Sequence, residues 1–123
     1  MNGLRPPEYL SDEQVKLFDK LSDLVAKKRL TMPAILFLES VRPLNFVGSQ
    51  AMLFFAPMVH AVFDARQYDL IQKALERRET LAYLIDLLEL REIDTVKREK
   101  ELKAQIKQEK TAKREARKKK PLS

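Results

Sequence analysis

MPAILFLESVRPLNFVGSQAMLFFAPMVHAVF, residues 32–63, is the stretch on which the fold turns. It carries only two formal charges, Glu39 and Arg42, and residues 43–63 carry none. Pro33 fits the first turn of a helix, where its missing N–H has no intrahelical partner to lose. The spacing predicts a short helix from Pro33 through Leu38. Pro43 disfavours helical geometry at Arg42, so a break is expected there. A second helix is expected to begin between Leu44 and Ser49 and to run to about Phe63. Met52, Leu53, Phe54, Phe55, Met58, Val59, Val62 and Phe63 point all round its wheel, and a helix apolar on every side is buried in protein or in lipid. Pro57 removes one backbone hydrogen bond and is expected to kink or end it.

The flanking segments have the opposite character. Before the apolar stretch, Ser11 followed by Gln14 forms a capping-box pattern, with Asp12 and Glu13 in the first turn. Val15, Phe18, Leu21, Leu24 and Val25 then recur at helical spacing, and Lys27, Lys28 and Arg29 suit the negative end of the dipole. An amphipathic helix over residues 11–29 follows. Residues 1–10, with Pro6 and Pro7, read as an irregular lead-in. They lack the apolar run of a secretory signal. After the apolar stretch, Asp64 or Asp69 is expected to cap a helix carrying Tyr68, Ile71, Ala74 and Leu75. Arg77 and Arg78 interrupt it, and Thr80 is expected to cap the next, with Leu81, Leu84, Ile85, Leu87 and Leu88.

Charge divides the chain more sharply than its mean suggests. The 123 residues hold 24 Lys and Arg against 18 Asp and Glu, a formal net charge of +6. Residues 1–94 are slightly acidic, and residues 95–123 hold 12 basic residues against four acidic ones. The excess therefore belongs to a C-terminal segment of good helix formers, expected as an extended basic helix or a disordered tail. Its candidate contacts for an anionic surface are Arg114, Arg117, Lys118, Lys119 and Lys120. The segment has no aromatic residue for stacking on bases, so nucleic acid bound through it would be held non-specifically, by its phosphates.

Composition removes most chemistry. With no cysteine there is neither a disulfide framework nor a thiolate metal site. One histidine, His60, lacks the partners of an ordinary zinc site, and Gly3 and Gly48 cannot form a phosphate-cradling loop. His60 is expected to be partly buried and satisfied. Glu39 is the only acid within the apolar stretch, and Arg42 three residues on gives it a structural ion-pair partner before Pro43. No complete constellation for catalysis is visible, and no cofactor, metal or small-molecule substrate is expected.

The expected fold class is all-α: a small helical bundle over residues 11–94 around a central apolar helix or helical hairpin (residues 32–63), followed by the basic segment, residues 95–123. Residues 43–63 are long enough to span a bilayer, but Asn45, Gly48, Ser49, Gln50, Pro57 and His60 dilute them, so a single span is not the expected reading. They could form the bundle core, dip into one leaflet as a hairpin, or cover a partner protein or a second copy of the chain. Leu36, Phe37, Phe46, Phe54, Phe55 and Phe63 are the candidate apolar contacts. The expected role is interaction without catalysis, as an accessory or scaffold subunit in the cytoplasm or on the cytoplasmic face of a membrane. A soluble domain whose tail binds RNA is the alternative.

Overall fold

The computed structural model describes residues 4–44 and 47–119. It is a bundle of helices: α1 (Asp12–Lys27), α2 (Thr31–Val41), α3 (Val47–Val62), α4 (Ala65–Leu75) and α5 (Arg78–Lys119), with no strand among the described residues. The chain divides into two compact units, Met1–Glu92 and Ile93–Ser123, with the boundary inside α5.

Local chemistry sets the helix ends. At α1, Ser11 Oγ accepts from the Gln14 N–H (3.1 Å), and the Gln14 side chain accepts from the Ser11 N–H (3.0 Å). Asp64 and Gln67 repeat this reciprocal box at α4, at 2.8 and 3.0 Å. Two otherwise unpaired donors are satisfied at each start, worth about 1 kcal/mol per cap. α1 closes with Leu30 donating to the Val25 carbonyl and Arg29 to that of Ala26, both at 3.0 Å. This closure places Arg29 at φ 58°, where glycine is the commoner residue.

α3 runs through Pro57 to Val62, close to the expected end near Phe63, so the proline does not end it. Pro57 lies on an exposed side, while Phe55, Met58 and Val59 around it are buried and hold the helix by packing. Thr80 does not cap α5, which starts two residues earlier. Its side chain is fully buried and shares a hydrogen bond with the Tyr9 hydroxyl. With Arg77 lying 4.2 Å over the Tyr9 ring and Leu10 buried, this bond ties the lead-in to the start of α5.

The first unit has one core. Phe18, Leu21 and Val25 of α1 meet Ala34 and Leu38 of α2, Phe55 and Val59 of α3, Ile71 and Leu75 of α4, and Leu81, Leu84, Leu87 and Leu88 of α5. Each fully buried large side chain contributes about 1.5–3 kcal/mol through removal from water. α3 packs against α4, α2 and α1, so the apolar stretch lies inside the bundle. Polar clamps cross the surface. Arg91 bonds the Asp19 carboxylate (2.9 Å) and the Asp19 carbonyl (3.3 Å), lies 3.6 Å from Asp23, and donates to Ser22 Oγ. Arg66 grips Glu13 with both guanidinium nitrogens, and these hydrogen bonds hold the Glu13 carboxyl below its ordinary range.

The second unit, as far as Lys119, is the rest of α5. From Val96 to Lys118 every side chain is exposed, including Leu102 and Ile106.

Candidate functional site

Burial divides the apolar stretch into two faces. Met52, Phe55 and Val59 on α3, and Phe63 just past its end, recur at three- and four-residue spacing and are all buried. Phe55 and Phe63 are therefore core residues and not contact residues. Phe55 is fully enclosed among the helices that α3 touches, and Phe63 is closed over by the Lys20 side chain, whose ammonium lies 5.4 Å from the ring. Leu53, Pro57 and Ala61, also four residues apart, are exposed.

The exposed side of α3 meets α2 at a pair of rings. Phe37 and Phe54 stack with centroids 5.0 Å apart and planes inclined by 21°. Phe54 in turn meets Phe55 edge-on at 5.1 Å, so three rings lead from the surface into the core. Leu36 and Leu53 precede the two stacked rings and are 63% and 72% exposed. Pro33 lies one turn from Leu36 and Pro57 one turn from Leu53. These two prolines line a groove of about 350 Å³ with Leu24, Leu30, Phe54 and Val62. Its one charged lining residue is Lys28, beside Lys27 and Arg29 at the end of α1. An apolar groove with one cation beside exposed leucines is a surface that favours an apolar occupant with negative charge at its edge.

Of the expected contact residues, Leu36, Phe37 and Phe54 are thus brought together, while Phe46 lies outside the described residues. Leu53, Pro57 and Lys28 complete the surface. The four-residue spacing of Leu53, Pro57 and Ala61 was a sequence signal for this side, but larger apolar residues on the other side masked it. Glu39 and Arg42 do form an ion pair at 3.7 Å, and both side chains are about half exposed. With both groups still in contact with solvent, such a pair contributes less than about 1 kcal/mol. His60 is exposed instead of partly buried, and stacks on Tyr68 with centroids 4.8 Å apart.

Arg114, Arg117 and Lys118 are exposed on α5, Lys119 lies in its last turn, and Lys120 lies outside the described residues. Among the described residues, no group of three His, Asp or Glu side chains could hold a metal ion, and no helix is long and apolar enough to cross a membrane. No known protein family, curated protein or solved structure matches the chain.

Proposed function

We propose that the protein is a non-enzymatic interaction module that docks on the cytoplasmic face of a membrane through the α2–α3 surface. The observation that carries this reading is the exposure of Leu36 and Leu53 beside the stacked Phe37 and Phe54 and the apolar groove, with Lys28 lining it. Shallow insertion removes those side chains from water, and the Lys28 cation meets anionic headgroups, the combination that anchors peripheral proteins. The bundle core stays intact, because the inserting residues lie outside it.

Flotation with liposomes at high salt tests the reading, since salt screens the charges and leaves the apolar contribution. The wild-type protein is expected to float, and Leu36→Asp with Leu53→Asp to stay at the bottom of the gradient. Both leucines are exposed, so the double variant should keep its thermal midpoint. A wild-type protein that fails to float, or a variant that floats equally well, overturns the reading.

A further inference from the structure

Six of the twelve lysines and arginines of residues 95–123 fall in one register. Lys100, Lys103, Lys107, Lys110, Arg114 and Arg117 follow one another at intervals of three, four, three, four and three residues. All lie in α5 and all are exposed. On a helix, residues three and four apart are neighbours on one face. The six therefore form a single basic stripe, which drifts by about 20° for every seven residues. At 1.5 Å per residue it is about 25 Å long.

The acids of the segment lie elsewhere. Glu101 and Glu109 fall on the opposite side of the helix and Glu115 on its flank, while Glu99 borders the stripe at its start. The large apolar residues Ile93, Val96, Leu102 and Ile106 are spread over half the circumference of the helix, with Ile93 opposite Leu102. The stripe thus gathers six cations on one side, while Lys97, Arg98, Lys113 and Lys118 lie outside it.

We infer that this basic face lies flat along an anionic lipid surface, with the acidic side turned to water. The inference rests on the reading of the protein as membrane-peripheral and adds to it a second contact of different physics. A flat anionic plane reaches all six cations and keeps Glu101 and Glu109 on the far side of the helix, with Glu99 at the border of the contact and Glu115 on its flank. A helix laid in a nucleic-acid groove has phosphates along both flanks, and Glu99 and Glu115 would then approach them. Each cation near an anionic bilayer adds about 1 kcal/mol of attraction, and salt weakens it.

The test exchanges neighbours in the full-length chain without changing its composition. Glu101→Lys with Lys103→Glu, Lys107→Gln with Gln108→Lys, and Glu109→Lys with Lys110→Glu move three lysines off the stripe at constant net charge. Partitioning is measured on phosphatidylcholine vesicles with and without phosphatidylserine, at low and high salt, and circular dichroism checks that helicity is unchanged. The wild-type protein is expected to show a salt-sensitive gain on the anionic vesicles, and the exchanged variant to lose about a hundredfold of it. An equal gain in the variant, no preference of the wild type for anionic vesicles, or register-dependent binding to a nucleic-acid duplex without vesicle binding would each overturn the inference. The reading of the α2–α3 surface is judged separately, by the salt-resistant component and the Leu36→Asp, Leu53→Asp variant.

Discussion

Leu84 and Lys107 belong to one helix and are held in it by different forces. Around Leu84, the residues Leu81, Leu87 and Leu88 are fully buried, so each turn of α5 is fixed by the side chains packed against it. Around Lys107 every side chain is exposed. There the helix rests on Ala, Lys, Glu, Gln and Arg, the residues that lose least on becoming helical. Isolated helices shorter than about 12–15 residues are marginal in water, and the segment beyond Glu92 is longer than that. One backbone geometry therefore has two causes, and only the first is coupled to the stability of the bundle.

Deleting core volume should expose that coupling most strongly. Phe55→Ala removes a fully buried ring and is expected to cost about 3–5 kcal/mol in denaturant unfolding. Phe54→Ala, one residue away but half-buried on the surface, should cost less than half as much. Equal losses would place Phe54 in the core and remove the basis for a docking surface.

A proline separates the two halves of α5 directly. Lys107→Pro is expected to disfavour the local helix by about 3 kcal/mol, seen as lost far-ultraviolet ellipticity, while the unfolding midpoint of the bundle stays where it was. A lowered midpoint would show that the basic segment supports the first unit.

Two smaller substitutions probe the polar ties of the bundle. Tyr9→Phe leaves the buried Thr80 hydroxyl without its partner and is expected to cost about 1–2 kcal/mol in thermal or chemical unfolding. Glu13→Gln removes the carboxylate that Arg66 holds below its ordinary range. A lowered folded-state value means that this stabilisation is present above the ordinary glutamate range and is lost as pH falls through the lowered value. The small gap between variant and wild-type midpoints at neutral pH should therefore close in acid. A gap that persists in acid would assign the effect to packing instead.

Much of the architecture was legible because its causes are local. The box Ser11–Gln14 and the stripe on α1 act over three or four residues, and the Asp64 cap was one of two offered. The Glu39–Arg42 pair was found for the same local reason, being one turn apart. α2 ends at Val41 as expected, but Arg42 keeps helical angles before Pro43, at φ −52° and ψ −41°. The stabilising polar contacts between helices were not legible. Arg91 meets Asp19 across 72 residues, Thr80 meets Tyr9 across 71, and Arg66 meets Glu13 across 53. Nothing in the local pattern distinguishes Arg91 or Arg66 from the other exposed basic residues.

The sequence by itself determined an all-helical chain, the approximate limits of its helices, and the confinement of positive charge to the C-terminal segment. Caps, prolines, apolar periodicity and charge spacing are interactions among residues three or four apart, and a helix satisfies its backbone within itself. Only the tertiary structure decided that Phe55 and Phe63 face the core while Leu36, Leu53 and Phe54 reach the surface. A helix apolar on all sides has no polar face to mark which way is out. Its orientation is set by which of its sides the neighbouring helices have the volume and shape to cover.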